Sequence, residues 1–392
     1  PASEPTPPAL APPPRAPRDR AWASDAHQVD IDAVEEVVFE NQVVREFVED
    51  DRRYFVSGAK GCGKTLLLTV KRARLAQRYR PGKGAAQVTF IPEGRPYLDL
   101  MSDVRTLGRS VVDFMADLAN AKRLWGFALR LAIVSHAPST PLPPAVVAGL
   151  PPDLRAVAEG MPAEPTVVAK AVLGLSISQM HQTLQLAEMA LERAVRTLHR
   201  GVFVFVDKID QALRGVSREA WIAMQAGLVE AAWDLMNTNA HVKVYATIRE
   251  EAFSAYASDI KTNLFGALTR LRYSKDDLRH ILERLTTYYE GVPLRDFVSL
   301  DVVQTGEAPV EPAFDHLQRH TLGRPRDFVI VASEISRRRG SLDERTFKSV
   351  VRETCAGILV DNVFDEMRVF LEVLHDRPER LRFLGTLSFS AL

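Results

Sequence analysis

Eight consecutive residues near the start of the chain have the types and spacing of a loop that binds phosphate. They run from Gly58 to Thr65 with the sequence GAKGCGKT. Glycines allow consecutive backbone N–H groups to curl around phosphate oxygens, and a helix N-terminus that follows adds partial positive charge. In such a loop Lys64 would reach the β- and γ-phosphates, and the Thr65 hydroxyl would bind Mg²⁺. The pattern predicts a nucleotide site.

The segments on either side of this loop suit the same chemistry. An apolar run, Tyr54–Ser57, precedes it as a predicted strand, and a helical stretch from Leu66 to Arg80 follows. A glycine-rich turn without a ligand is the alternative, but the strand–loop–helix setting favours phosphate binding. We therefore expect the nucleotide to contact these residues: Gly58, Ala59, Lys60, Gly61, Cys62, Gly63, Lys64, Thr65 and Leu66.

A carboxylate follows a second buried strand. Asp207 comes directly after the apolar run Val202–Val206, where an acid can hold Mg²⁺ opposite Thr65. The simpler alternative is an aspartate in a turn. A glutamate commonly follows such an acid and activates the attacking water, but Lys208 stands there. Either Asp210 takes over this catalytic role, or hydrolysis is slow and the protein works mainly as a nucleotide-gated switch.

Thr247 and Arg249 lie at the end of another predicted strand. That strand runs from Val242 to Ile248, and ligands of open α/β sheets bind at the carboxyl ends of the strands. We expect Arg249 to read the γ-phosphate as a catalytic residue. The alternative is a surface ion pair with one of the two glutamates that follow it.

Two arginines begin a later helix. Pro325 suits the first turn of a helix over Phe328–Ile335, yet a helix N-terminus favours anions rather than Arg324 and Arg326. A phosphate bound nearby would resolve this conflict, so both arginines are predicted to bind the nucleotide. Ion pairs with neighbouring acids such as Asp327 are the alternative.

The order of the predicted elements indicates the fold. Strands alternate with helices, which is typical of a doubly wound parallel α/β sheet. The predicted strands are Tyr54–Ser57, Gln87–Ile91, Val202–Val206 and Val242–Ile248. The predicted helices are Val34–Val48, Leu66–Arg80, Val111–Ala121, Leu124–Ser135, Ile177–His199 and Ser217–Met236. A Pro-rich stretch from His136 to Pro165 interrupts this pattern and is interpreted as an insertion or loop.

These patterns divide the chain into three parts. Residues 1–27 are rich in Pro, Ala and Arg and are expected to form a disordered tether. Residues 28–275 form the predicted nucleotide-binding α/β core. After Tyr273 we predict no further strand, so residues 276–392 are interpreted as a helical lid lobe.

Composition limits the other functions of the chain. The 50 Lys and Arg residues balance the 50 Asp and Glu residues, so no global field favours nucleic acid or an anionic membrane. Cys62 and Cys355 lie far apart, which suggests neither a zinc site nor a disulfide framework and suits a cytoplasmic location. No signal peptide is visible, and no stretch approaches the roughly twenty apolar residues of a membrane span.

Four segments, in this order, resemble the P-loop ATPases of the STAND and AAA+ kind. The resemblance is to bacterial ATPases related to the origin-recognition and NACHT/KAP-like groups, many of which serve in signalling or antiphage defence. It extends over about Val34 to Ile335. The segments that carry it are GAKGCGKT, VFVFVDKID, VKVYATIREEAF and RHTLGRPRDF.

The resemblance implies roles for particular residues. Asp207 would coordinate Mg²⁺, Arg249 would be the arginine after the next strand, and Arg324 or Arg326 would be the arginine of the helical lid. It also implies that the strand before Arg249 lies between the strands before the loop and before Asp207. The missing glutamate departs from AAA+ enzymes and argues against a fast motor.

Three functions compete. The preferred one is a slowly hydrolysing ATPase that couples its nucleotide state to homo-oligomerisation or to control of an effector domain. A DNA-associated initiator-like ATPase is the second, and the neutral charge disfavours it. The third, a nucleotide kinase, lacks the usual arginine-rich lid between strands. We expect ATP rather than GTP, because no guanine-reading Asn-Lys-x-Asp stretch is present.

Overall fold

A computed structural model of the protein describes residues 21–29, 33–80, 88–92, 108–137, 141–213, 215–304, 310–338 and 342–367. At its centre is a five-stranded sheet in which every pairing is parallel. The strands are β1 (Phe55–Gly58), β2 (Val88–Ile91), β3 (Gly201–Val206), β4 (Val242–Arg249) and β5 (Leu268–Arg270). The fold is therefore α/β, as predicted.

The strand order agrees with the expected one. The strands follow one another as β2–β3–β4–β1–β5, so β4 separates β1 from β3. This order brings the carboxyl ends of β1, β3 and β4 side by side at one edge. The short strand β5 was not predicted, because a run of three residues between turns carries no clear alternation of polarity.

Alternation of side chains along β3 explains how the sheet is covered on both faces. Val202, Val204 and Val206 belong to the apolar core on one face. Phe203 and Phe205 belong to the core on the other face, because successive side chains of a strand point to opposite sides. A continuous apolar run is therefore what a central parallel strand requires.

Helices before β2 cover the second of these faces. They are α1 (Val34–Val37), α2 (Gln42–Glu49) and α3 (Lys64–Arg78). The prediction of one helix over Val34–Val48 is wrong, because Val38 has an extended backbone. The Asn41 side chain then caps α2 by accepting a hydrogen bond from the Val44 N–H.

The long segment between β2 and β3 is helical. Its helices are α4 (Arg109–Ala116), α5 (Leu118–His136), α6 (Pro144–Gly149), α7 (Pro152–Ala158), α8 (Pro165–Leu173) and α9 (Ile177–Arg196). The interpretation of its Pro-rich part as a loop is wrong, since prolines occupy first turns there, where no N–H is needed. The break predicted near Lys122 lies at Asp117, whose side chain caps α5.

The first face of the sheet is covered mainly by the helix that follows β3. The elements of this region are α10 (Ile209–Ala212), α11 (Arg218–Thr238), α12 (Glu250–Ala255) and α13 (Lys261–Leu264). Ser217 caps α11 by accepting a hydrogen bond from the Ala220 N–H. The α11 helix packs against α5 and β4. Its Gln225 side chain accepts a hydrogen bond from the backbone N–H of Arg249, which stabilises the carboxyl end of β4.

The remaining elements enclose a core of their own. The helices are α14 (Lys275–Glu290), α15 (Leu294–Val298), α16 (Ala313–Arg319), α17 (Pro325–Arg337), α18 (Glu344–Thr354) and α19 (Val360–Met367). The prediction that strands stop after Tyr273 is wrong, because β6 (Val302–Gln304) and β7 (Val310–Pro312) form an antiparallel hairpin. We call this region the lobe. None of the described helices combines the length and apolar content that crossing a bilayer requires.

Part of the predicted tether is folded onto the lobe. The Trp22 ring stacks on Tyr289 with ring centroids 4.6 Å apart, and its Nε1 donates to Glu290 Oε1 at 2.6 Å. Residues 21–27 therefore differ from the disordered tether expected for residues 1–27, because one aromatic side chain anchors an otherwise polar and Ala-rich stretch. The first 20 residues lie outside the described residues.

Candidate functional site

The glycine-rich loop, residues 58–65, connects β1 to α3 through two left-handed positions. Gly61 has φ of 84° and Gly63 has φ of 87°, and Gly63 is the residue that caps α3. Only glycine adopts these angles without strain. A side chain at Gly61 would also place its Cβ 3.0 Å from the Cβ of Arg326. Glycine is therefore required there for conformation and for close packing.

Lys64 folds back over this loop. Its ammonium group donates to the Gly58 and Ala59 carbonyl oxygens at 2.8 and 2.9 Å. Burial lowers the pKa of Lys64, and the nearby Asp210 and Asp207 carboxylates oppose that shift. The cation is thus held between the loop and the acids that follow β3.

Asp207 is buried at the carboxyl end of β3. Its Oδ1 accepts a hydrogen bond from the Thr247 hydroxyl, whereas Oδ2 is buried and has no hydrogen-bond partner. Burial raises the pKa of Asp207, and hydrogen bonding lowers it in part. The Thr65 hydroxyl lies close enough to contribute to that lowering, although it makes no hydrogen bond to Oδ2. One carboxylate oxygen is therefore available next to a hydroxyl.

This pair of side chains fits a Mg²⁺ ion that is shared with phosphate oxygens. Hard oxygen donors are what Mg²⁺ prefers, and it usually binds through one or two protein groups with phosphates and water completing the shell. Within the described ranges, no group of three or more His, Cys, Asp or Glu could hold a metal without such a ligand.

Lys208 and Asp210, which follow Asp207 in the sequence, both contact other charged side chains. Lys208 adopts a left-handed backbone with φ of 59°, and its Nζ lies 3.3 Å from Asp25 Oδ2. Asp210 Oδ2 accepts a hydrogen bond from Arg249 at 3.3 Å. The candidate base is therefore close to Lys64 but is partly neutralised by an arginine.

Arg249 is fixed by carboxylates and by its backbone. Its Nε and Nη2 donate to the two oxygens of Glu251 at 3.0 and 2.8 Å, and the Gln225 side chain accepts from its backbone N–H at 3.0 Å. Burial alone would lower the pKa of Arg249, but the carboxylates outweigh it and raise that pKa. The ion pair with Glu251 is thus observed, but it is buried rather than on the surface and belongs to the same cluster as Asp210.

The lobe and the segment directly before it touch the glycine-rich loop through two hydrogen bonds. The backbone N–H of Arg326 donates to the Gly61 carbonyl at 3.2 Å. The Tyr273 hydroxyl donates to the Cys62 carbonyl at 2.9 Å. Both bonds use loop carbonyls, so neither of them engages a loop N–H group.

The two lobe arginines differ in their surroundings. Arg324 is buried, binds both carboxylate oxygens of Asp327 and donates to Glu366 Oε2 at 2.6 Å. Arg326 is half-buried, and its Nε donates to the Ser24 carbonyl at 3.2 Å. The ion pair with Asp327 that the sequence left open is therefore formed by Arg324.

A cleft opens between the sheet and the lobe. It measures about 1020 Å³ when the space open to solvent is included, and its floor is residues 60–67 of the loop and α3. Residues 23–26 border it, as do Asp207, Lys208 and Asp210. Its apolar part is lined by Val37, Val38, Phe39, Ile281, Leu285 and Tyr289.

The structure thus collects most of the predicted site residues around one cleft. Residues 60–66, Asp207, Asp210 and Arg326 line it. Arg249 contacts it through an ion pair with Asp210, and Arg324 is linked to the lining residue Lys60 through Glu366. Sequence reasoning missed Tyr273, Ser24, Asp25 and Glu366. Only Tyr273 had a local signal, because it ends the short run from Leu268 to Tyr273 that contains β5.

Comparisons with protein-family models, with curated proteins and with solved structures found no match for this chain.

Proposed function

We propose that this protein binds ATP in the cleft between the sheet and the lobe, hydrolyses it slowly and acts as a nucleotide-dependent switch. The observation that carries the proposal is the position of Lys64, Thr65 and Asp207 at the carboxyl ends of β1 and β3, on either side of β4. A cation, a hydroxyl and a carboxylate with one unpaired oxygen converge there. This is the donor set that a Mg²⁺–triphosphate complex requires.

Phosphates would bind to the N–H groups of the glycine-rich loop. The loop carbonyls are already engaged by Lys64, Tyr273 and Arg326, and α3 begins at Lys64 with its positive dipole end toward the cleft. Thr65 and Asp207 would hold Mg²⁺, which supplies positive charge to polarise phosphoryl oxygens. The apolar side chains around Phe39 and Tyr289 would receive the base.

Slow hydrolysis follows from the groups around the expected attacking water. Lys208 replaces the usual glutamate and pairs with Asp25. Asp210 is the remaining candidate base, and the hydrogen bond from Arg249 already engages its Oδ2. An engaged base and a fixed arginine suit a protein that holds its nucleotide longer than it turns it over.

The lobe would report the nucleotide state. It contacts the loop through Arg326 and Tyr273, so a phosphate that reorganises the loop also changes the lobe. By the sequence resemblance, this change would control homo-oligomerisation or an effector, in a bacterial signalling or antiphage defence system. ATP binding without a coupled change would support the nucleotide site but contradict the switch.

Calorimetric titration with ATP and Mg²⁺ tests the binding site. Lys64→Ala should weaken ATP binding by at least about a hundredfold, because it removes the buried cation that faces the phosphates. Lys275→Ala, at an exposed lysine of α14 that pairs with Asp315, is the matched control and should bind like the natural protein. Equal affinity in Lys64→Ala, or no binding by the natural protein, would refute the proposal.

Light scattering and phosphate release test the coupling. We expect ATP with Mg²⁺ to change the mass or shape of the particle and phosphate release to proceed below about 1 s⁻¹. Rapid turnover without any change in assembly would instead indicate a different type of ATPase.

A further inference from the structure

Glu366 connects the last described helix to Arg324 of the lobe and to the glycine-rich loop. It lies on α19, and its carboxylate accepts a hydrogen bond from Arg324 at 2.6 Å. Its other oxygen lies 4.0 Å from the Lys60 ammonium in the glycine-rich loop. The Glu366 side chain is only 10% exposed, and its charge also helps to raise the pKa of Arg249. One carboxylate thus bridges the lobe and the loop.

Arg324 has a permanent partner and an exchangeable one. Asp327 follows it within the first turn of α17, is fully buried and accepts three hydrogen bonds from the Arg324 guanidinium. Glu366 comes from a helix 42 residues further along the chain. A competitor for the guanidinium would therefore displace Glu366 before Asp327.

The attachment of α19 depends on few apolar contacts. Phe364 is its one buried apolar residue among the side chains described at 360–366. A π turn, Cys355–Leu359, joins α19 to α18 and shifts the register of the residues after it relative to a continuous α-helix. This register places Glu366 near the loop, where its ion pairs with Arg324 and Lys60 help to attach α19.

A triphosphate and Glu366 require the same cations. Phosphate oxygens accept hydrogen bonds from arginine and lysine in the same geometry as a carboxylate does. Two anions held side by side at Lys60 and Arg324 would also repel each other. Their binding is therefore mutually exclusive or strongly coupled.

From this geometry we propose that Glu366 is a latch that holds Arg324 and Lys60 until a nucleoside triphosphate displaces it, which releases α19 from the glycine-rich loop. The inference rests on the proposed nucleotide site and names how that site is coupled to the C-terminal part of the lobe. By thermodynamic linkage, the attachment of α19 weakens nucleotide binding by the same factor by which the nucleotide weakens the attachment of α19.

The test combines hydrogen exchange of the α19 backbone amides with nucleotide titration. Glu366→Gln removes the charge and keeps the size, and Asp365→Asn, at the neighbouring exposed acid of the same helix, is the matched control. In the natural protein and the control, ATP should accelerate exchange in α19, whereas AMP should not. In Glu366→Gln, exchange should already be fast without nucleotide, and ATP should bind about tenfold more tightly.

The direction of the change separates a latch from a merely structural residue. Loss of a structural contact predicts weaker ATP binding and a lower melting temperature of the whole protein, and that result would overturn the inference. So would ATP binding with unchanged exchange in α19 and equal affinity in Glu366→Gln, although the proposed function would stand. Absence of ATP binding in both proteins would overturn the proposed function together with the latch.

Discussion

The two walls of the cleft are built in different ways. The sheet wall consists of residues that directly follow or end buried strands: the loop after β1, Asp207 after β3 and Thr247 in β4. The lobe wall is assembled from residues spread over most of the chain, namely Ser24, Tyr273 and Arg326. A ladder of backbone hydrogen bonds aligns the first wall, whereas the polar contacts between the second wall and the loop are few.

This difference assigns different tasks to the walls. A wall fixed by a parallel sheet is pre-organised and can position phosphates and Mg²⁺ without moving. A wall held by a few polar contacts can exchange those contacts for a ligand at low cost. Substitutions in each wall test this division.

Asp207→Asn should separate function from stability in the sheet wall. Phosphate release is expected to fall by at least about a hundredfold, because a neutral amide holds Mg²⁺ poorly. The melting temperature should stay constant or rise, since the change removes the charge of a buried carboxylate with an unpaired oxygen. Asp113→Asn, at an exposed acid of α4, is the control. A strongly destabilised Asp207→Asn would contradict this account.

Lys71 tests whether a buried ammonium group stabilises α3, the helix that follows the glycine-rich loop. Its ammonium donates to the carbonyls of Phe47 and Asp50 at 2.9 Å and of Val48 at 3.2 Å. Burial lowers the pKa of Lys71 to about 8. The folded state then binds this proton more weakly than the unfolded state, so stability gains from this group as the pH rises above 8 toward 10.5.

Urea unfolding at pH 7.5 and 9.5 measures that gain. Between these two pH values, the free energy of unfolding of the natural protein should increase by about 2 kcal/mol more than that of Lys71→Met. Lys275→Met, at an exposed lysine, should retain the dependence of the natural protein. Identical pH dependence in Lys71→Met would show that Lys71 is not the group responsible.

Arg326→Ala should have a smaller effect, confined to the lobe wall. ATP affinity is expected to fall about tenfold, because one cation near the phosphates is lost, while the backbone hydrogen bond to Gly61 is kept. Arg337→Ala, at an exposed arginine that pairs with Glu334 on the same helix, is the control for titration calorimetry. A hundredfold loss would mean that the lobe wall matters as much as Lys64.

Trp22→Ala should have the smallest effect. It removes the ring that stacks on Tyr289 and so frees the segment that borders the cleft. We expect ATP to dissociate about threefold faster, as measured by stopped-flow displacement. Trp22→Phe retains the stacking and loses only the hydrogen bond to Glu290, so it should lie between the two. Unchanged dissociation in Trp22→Ala would remove this segment from the lobe wall.

Much of the sheet could be predicted from the sequence, and the errors have physical reasons. The runs Val202–Val206 and Val242–Ile248 are long and apolar, so their burial in a parallel sheet left few alternatives. The strands β5, β6 and β7 have three residues each, which is too short for a recognisable period. The helices of the Pro-rich stretch were missed because proline ends a helix in its interior but suits its first turn.

Local sequence patterns specified the glycine-rich loop, the acid after β3 and the arginine that ends β4. Those residues are positioned by the strands next to them, so their spacing along the chain already encodes their place in space. No such pattern shows that Asp25 faces Lys208, that Tyr273 binds the Cys62 carbonyl or that Glu366 bridges Arg324 and Lys60. Such contacts join distant residues through the docking of the lobe, which no local pattern specifies.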